Sequence, residues 1–428
     1  MSTTIDVPVP AAVEPSALPL RTLIKTPIML GVVTLAIALL IALNARSGDT
    51  GFRLATDTDF FELPEVTLPS TATVAVIVAL LAACTAVSAL LVSRARRTPL
   101  WLIAIFSVLA MTGFLAWAAA GKTVPVVGLL GGSIALAVPL VFGALGGVLG
   151  ERAGVVNIAI DGQLLFGAFA AAMFGTIVGS PWGGLVAAMF AGALVALVLG
   201  FFAINYFVDQ VIVGVVLNVL VIGLTSFLFS QVLADNPQKL NAPDHFSRIP
   251  IPVLGDLPVI GPVLFRQTIL VYLMYAAVVV VAWALYRTKW GLRVRAVGEH
   301  PKAADTVGIK VNRTRYTTLL IAGLIAGAGG ATYTLVSVPQ FGQEMTDGAG
   351  YIALAAVIFG RWDPVRATLA ALLFGFASNL SGVLSVLGSP VPSQFMLMLP
   401  YVVTIVAVAG LVGASRAPAA DGVPYRKG

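Results

Sequence analysis

The sequence is short of almost everything that water-soluble catalysis uses. Its single cysteine, Cys84, sits in an apolar run, so neither a disulfide framework nor a cysteine-based metal site is available. Only two histidines are present, His245 and His300, too few for a histidine-rich metal centre. Charge is scarce as well, at 10% of 428 residues, against about 25% in soluble domains. There is no H-E-x-x-H, nucleophile elbow or cysteine pair. The stretch nearest to a phosphate-binding loop, AWAAAGKT at 116–123, has Ala116 where the first glycine belongs and joins two apolar runs with no strand before it. The chain therefore reads as a non-enzyme with no cofactor of its own and no visible means of hydrolysing ATP.

What it has is hydrocarbon, at 59% hydrophobic residues and a mean hydropathy of +0.99. That is the composition of an all-α, polytopic integral membrane protein. Long apolar runs lie at 27–43, 71–92, 100–120, 126–149, 164–178, 184–204, 211–234, 268–285, 317–338, 367–386 and 395–412. Most approach the roughly 20 residues that a bilayer core requires. A shorter run at 351–359 is either a crossing or re-entrant, which makes about twelve transmembrane or re-entrant helices. The first run is read as an uncleaved span, because Asn44-Ala45-Arg46-Ser47 is a poor cleavage site.

The net charge of +6 does not indicate nucleic-acid binding, because the cations gather in short loops between apolar runs. Arg94, Arg96 and Arg97, the interval 287–315 and the terminal Arg426-Lys427 all fall on one side of the twelve-span topology, the cytoplasmic side. Both termini are then cytoplasmic. The acidic loop 46–69 and the proline-rich segment 235–267 lie outside. Gly143 with Gly147, and Gly323 with Gly327, have the spacing of close helix packing.

Two stretches interrupt the hydrocarbon in ways that invite a functional reading. Residues 150–163, GERAGVVNIAIDGQ, place Asn157, Asp161 and Gln163 among apolar neighbours. A carboxylate in mid-membrane is costly, so Asp161 should face a wet cavity or a partner. Neutral amides can bind an uncharged polar solute through donors and acceptors alike. On spacing alone, a cytoplasmic turn with Asp161 capping the next helix accounts for the stretch equally well. Residues 339–348 combine Phe341, able to stack on a flat ring, with Gln343 and Glu344; an ordinary solvated loop is the competing account.

The basic interval holds eight cations against Glu299 and Asp305. Inside it, Pro301 to Gly308 has proline at a first helical position and glycine just past an end, the punctuation of a two-turn surface helix.

GERAGVVNIAIDGQLLFGAFAA at 150–171, LRVRAVGEHPKAADTVGIKVNRTR at 292–315, AAVIFGRWDP at 355–364 and the tail APAADGVPY at 417–425 resemble permease subunits of ABC importers of the branched-chain amino acid, ribose and nucleoside type. The likeness is greatest to purine-nucleoside permeases. It implies a core of about ten spans in which an interrupted helix lines the path, here with Asn157, Asp161 and Gln163. It also implies a cytoplasmic coupling helix that docks on the ATPase, built from Gly298, Glu299, Pro301, Lys302, Ala303, Ala304, Asp305 and Gly308. The small side chains of Ala303 and Ala304 would allow close docking, and Lys302 and Asp305 would fix orientation by charge. The family commonly has glutamate where this chain has Asp161, one methylene shorter.

The partners implied are an ATP-binding cassette subunit holding ATP and Mg, a second homologous permease in a heterodimer, and an extracytoplasmic solute-binding lipoprotein. The implied solute is a nucleoside, with a simple sugar or a branched-chain amino acid as alternatives, and the implied location is the bacterial cytoplasmic membrane. The expected organisation is a disordered tail at 1–26, a two-span extension at 27–98, the permease domain at 99–414 with its coupling loop at 287–316, and a cytoplasmic tail at 415–428. A stand-alone secondary transporter would need intramembrane carboxylates for a coupling ion, and the sequence has few.

Overall fold

The computed structural model describes residues 20–44, 46–56, 63–389, 391, 392, 394, 395, 398 and 416–427. The last expected span, 395–412, lies almost wholly outside the described residues, as do residues 1–19 of the expected tail. Residues 20–26, expected to be disordered, are helical.

Two compact units are present. One holds residues 20–51 and 67–123, with helices α1 (Leu20–Leu43), α2 (Ser70–Ser93) and α3 (Leu100–Ala118). On α2 the buried residues Val74, Ile77, Leu81, Ser88 and Val92 fall three, four or seven apart, so they form one inward stripe. On α3, Gly113 admits Ile77 of α2 so closely that a Cβ there would meet its Cγ2 at 2.8 Å. One end of the unit is closed by polar bonds: Thr50 Oγ1 donates to Ala116 O at 2.8 Å, and Trp117 Nε1 to Asn44 O at 2.9 Å. The boundary expected at residue 98 leaves α3 with the permease domain, whereas α3 packs on α1 and α2.

The other unit holds the remaining helices. They are α4 (Val126–Arg152), α5 (Ile160–Val178), α6 (Pro181–Gly200), α7 (Gln210–Leu228), the single turn α8 (Pro237–Leu240), α9 (Ile269–Arg287), α10 (Lys289–Glu299), α11 (Pro301–Thr306), α12 (Val311–Thr332), α13 (Ala349–Phe359) and α14 (Pro364–Val386). Helix α12 is central, packed on α4, α5 and α6. Its small residues explain why: a Cβ at Gly327 would lie 2.1 Å from Ala188 O, and one at Gly323 2.6 Å from Gly192 O. The backbones touch, as the small-residue spacing predicts. The Gly143 and Gly147 pair instead receives Ala353 and Val357 of α13 together with Ile160 of α5.

Among the described residues, ten helices are long and apolar enough to cross a membrane, and α13, at 11 residues, is not. Outward faces are apolar, for example Val216, Val219 and Leu220 on α7 and Phe190 and Leu194 on α6. The proline-rich segment makes α8, short helical turns at Leu254–Asp256 and Gly261–Phe265, and an antiparallel pair, Arg248–Pro250 with Arg266–Thr268. Helix α12 begins at Val311, six residues before the expected span, so Arg315 lies within it and is only 1% exposed.

Candidate substrate pathway and coupling surface

Helix α4 ends at Arg152, the chain turns at Gly154 (φ +80°), and helix resumes at Ile160. Ile160 packs against Gly143 and Gly147, about seven residues back from the end of α4. At 1.5 Å per residue, α5 therefore starts about 10 Å inside the bundle. Helix α13 also starts inside the bundle, four residues before Ala353, and it runs beside α4 with Ala353 and Val357 against Gly143 and Gly147; the turn that follows it carries Trp362. Trp362 Nε1 donates to Glu151 Oε2, and Arg152 Nε donates to Trp362 O at 2.9 Å.

The two internal helix starts meet at Asp161. Its Oδ1 accepts from Gly350 N at 2.9 Å, and the Thr346 hydroxyl donates to the same carboxyl group. A Cβ on Gly350 would lie 2.2 Å from Asp161 N, so glycine is what permits the approach. Both helix starts present positive dipole ends, which a carboxylate complements, and the α13 start also gives it the Gly350 N–H. Asp161 thus caps α13, a helix distant in sequence, and not its own.

Asn218 of α7 completes the junction: Gly162 N donates to its Oδ1 at 2.8 Å, and its Nδ2 donates to Ile158 O at 2.9 Å and to Tyr351 Oη at 3.0 Å. Neither Asn218 nor Tyr351 stood out in the sequence. A lone asparagine in the stretch 211–224, which otherwise has no polar side chain, is the signal that the sequence offers.

Asn157 and Gln163 do not open onto a cavity. They are fully buried and bond each other reciprocally, Asn157 Nδ2 to Gln163 Oε1 at 3.2 Å and Gln163 Nε2 to Asn157 Oδ1 at 3.1 Å. Phe341 is also unavailable for stacking on a solute. It is 1% exposed, edge-on to Phe169 with centroids 5.3 Å apart, and its backbone is held by Asn241 on both sides. Gln343 and Glu344 are exposed, with Gln343 Nε2 donating to Ser230 Oγ at 3.3 Å. The structure brings Asp161 together with the 346–350 end of this loop and leaves residues 341–344 apart from that contact.

The α4 end opposite Arg152 borders a groove of about 680 Å³, lined by Gly128, Gly131, Arg248, Asp256, Arg266 and Gln267. Arg266 Nη2 pairs with Asp256 Oδ1 at 3.0 Å.

At the Arg152 end, α10 and α11 form the basic element. A Cβ on Gly298 would lie 2.1 Å from Arg152 O, so α10 sits directly on the end of α4. Thr288 caps α10 by accepting from Gly291 N at 3.1 Å, and His300 Nδ1 caps α11 by accepting from Ala303 N at 3.2 Å. Glu299, Lys302, Ala303 and Gly308 are exposed and Asp305 is half-buried. Ala304 is not on that outer face: it is 3% exposed and packs inward with Val297, Val311 and Tyr425. In a helix this short, adjacent residues point in different directions, so Ala303 and Ala304 cannot share a docking face. Beside α11, Lys289, Arg293, Lys310 and Arg313 line a groove of about 830 Å³.

Residues 129–408 match the family described as the permease component of branched-chain amino acid transport systems. The guanosine ABC transporter permease protein NupQ of Bacillus subtilis (strain 168) is 42% identical over 305 residues, 69% of this chain and 95% of that protein. The nucleoside ABC transporter permease protein NupC of Lactococcus lactis subsp. cremoris (strain MG1363) is 37% identical over 299 residues, 68% of this chain and 93% of that protein. A second Bacillus subtilis protein, the guanosine ABC transporter permease protein NupP, is 26% identical over 252 residues, 58% of this chain and 71% of its own length. No solved structure matches the chain.

Proposed function

The chain belongs to the permease component family of branched-chain amino acid transport systems, a multi-pass membrane protein, and from that membership we propose that it carries purine nucleosides inward as the membrane-spanning subunit of an ATP-driven importer. The observation that carries the solute assignment is 42% identity across 95% of a guanosine permease. ATP hydrolysis, with its Mg, belongs to a separate ATP-binding cassette subunit. The presence of both NupQ-like and NupP-like relatives in one organism supports a second, different permease subunit as the partner across the path. An extracytoplasmic binding lipoprotein delivers the solute. The membrane is the bacterial cytoplasmic membrane, with the ends bearing Arg94, Arg152, Arg287 and Arg313 cytoplasmic.

Alternating access follows from this arrangement. Nucleotide-driven closure of the cassette dimer moves α10–α11, whose Gly298 rests on Arg152 O at the end of α4. Beyond that contact lie the two internal helix starts held at Asp161, where irregular backbone is tolerated at membrane depth because it is buried in protein. A rigid shift of α4 and α13 relative to α5 alters the path at this junction. Lys302, Ala303 and the edge of Asp305 present the docking surface to the cassette.

The test is uptake in cells or proteoliposomes holding the chain with its cassette, second permease and lipoprotein. Guanosine and adenosine should be taken up in an ATP-dependent manner and compete with each other, and ribose should not compete. Ribose uptake without nucleoside uptake overturns the solute assignment, and uptake without the cassette overturns the class.

A further inference from the structure

The C-terminal segment is separated in sequence from every element it touches, yet it lies across the cytoplasmic end of the bundle. Ala420 N donates to Gly298 O at 2.8 Å, and Ala419 N to Glu299 Oε2 at 3.3 Å, which fastens the segment along the end of α10. Tyr425, 7% exposed, fills an apolar niche with Val297 of α10, Ala304 of α11 and Val311 of α12, and its hydroxyl meets Asp305. The same segment reaches the interrupted helix on its other side. Arg315 Nη1 donates to Val423 O at 3.2 Å, Gly422 lies against Val156, and a Cβ on Gly154 would meet Ala420 O at 2.9 Å. Beyond Tyr425, the Arg426 guanidinium lies 4.9 Å over the Phe207 ring at the turn between α6 and α7.

The junction beneath the segment is polar and incompletely satisfied. Glu151 Oε1, Arg315 Nε and Nη2, and Asp421 Oδ1 are buried with no hydrogen-bond partner in the protein. Burial pushes the Asp421 carboxyl up to about 7, against the lowering pull of the Gly422 amide and the Arg315 guanidinium. A seat made wholly of apolar side chains would carry no desolvation cost for buried charge. One built on buried, partly unpaired charge holds it while leaving a second arrangement close in free energy.

We propose that residues 417–426 tie the coupling helix α11 to the break at 153–159 between α4 and α5, so that displacement of α11 is delivered to the path through the segment. This rests on the coupling and transport reading above. It assigns positioning roles that the direct contact of Gly298 on Arg152 does not supply: Tyr425 grips α11, and the backbone from Ala420 to Val423 grips Gly154, Val156 and Arg315. Two links then run from the cassette to the path, one through Gly298 on Arg152 and one through the segment that Tyr425 anchors on α11.

The experiment compares the assembled importer carrying the full chain with one ending at Arg416, and with the milder Tyr425→Ala and Tyr425→Phe variants. For each, uptake and solute-stimulated ATP hydrolysis are measured together and expressed as solute carried per ATP. Loss of the tie should lower that ratio about tenfold, within the range of coupling between linked sites, with hydrolysis continuing. Tyr425→Ala should follow the truncation, and Tyr425→Phe, which keeps the ring, should recover most of the ratio. A segment that only stabilises the fold would lower uptake and hydrolysis by the same factor. An unchanged ratio in Tyr425→Ala therefore overturns the proposal, even where the truncated chain does not assemble. Absence of nucleoside uptake by the full chain sinks only the solute reading, since the ratio is then read with whichever solute is carried.

Discussion

Gly350 N lies 2.9 Å from Asp161 Oδ1 across 189 residues of sequence, so the first turn of α5 closes the first turn of α13. The carboxylate does two separable things. It accepts a hydrogen bond, which an amide also can, and it places negative charge against two helix N-termini, which an amide cannot. Asp161→Ala should lose both, lowering thermal stability in detergent by about 0.5–2 kcal/mol, the range of a lost cap, and reducing uptake sharply. Asp161→Asn should regain most of the stability while uptake stays depressed. Full uptake by the asparagine variant would show that the charge has no part in transport.

Asn157 and Gln163 satisfy one another in a fully buried pair. Replacing either alone with leucine strands the other amide, at a cost of about 1–3 kcal/mol. Replacing both removes the stranded group, so the double variant should be more stable than either single one. Thermal unfolding of the four proteins provides the cycle. Additive losses in stability, together with a raised KM for the solute in each single variant, would instead place these amides in contact with the solute.

Ala303 and Ala304 are adjacent in sequence and opposite in exposure. Ala304→Trp overpacks the niche shared with Val297, Val311 and Tyr425, which typically costs about 1–3 kcal/mol, so a loss of uptake there would not report docking. Ala303 is exposed. Ala303→Trp should insert normally, melt as the parent does and fail to bind the cassette in a pull-down. Normal binding with normal uptake would remove α11 from the docking surface.

How far the sequence foretold this arrangement depends on the range of the interactions. Spans, the break at 150–163 and the short helix at 301–306 follow from local composition, because run length, glycine and proline act within a few residues. The partners of the polar residues do not. Whether Asn157 faces a cavity or Gln163 is decided by how 153–159 folds back, and Phe341 is buried because Phe169 and Phe229 come to it from other helices. Arg315 read as one more loop cation, since nothing near it marks the start of α12 four residues earlier. Asp421 sits in a short polar tail, and only the tertiary fold brings it to Arg315 and Glu151.

That last cluster carries a pH dependence whose direction is fixed. The docked Asp421 carboxyl titrates at about 7, above the roughly 3.9 of a free aspartate. Burial opposes its ionisation, the Gly422 amide and the Arg315 guanidinium from α12 favour it, and Glu151 from α4 is the other carboxyl that it faces. A group whose bound-state value is raised binds protons preferentially in the docked form, so docking is firmest at acid pH and weakens as pH rises toward the docked value. A nitroxide attached through Val423→Cys, in a Cys84→Ser background, should therefore show a mobile fraction that grows from about pH 5 to about pH 7 and levels off above it. Asp421→Asn, which cannot ionise, should keep the immobile spectrum across the range. A parent spectrum that does not change with pH, or one that becomes more immobile as pH rises, would mean that the carboxylate is held by Arg315 strongly enough to stay ionised in the docked state.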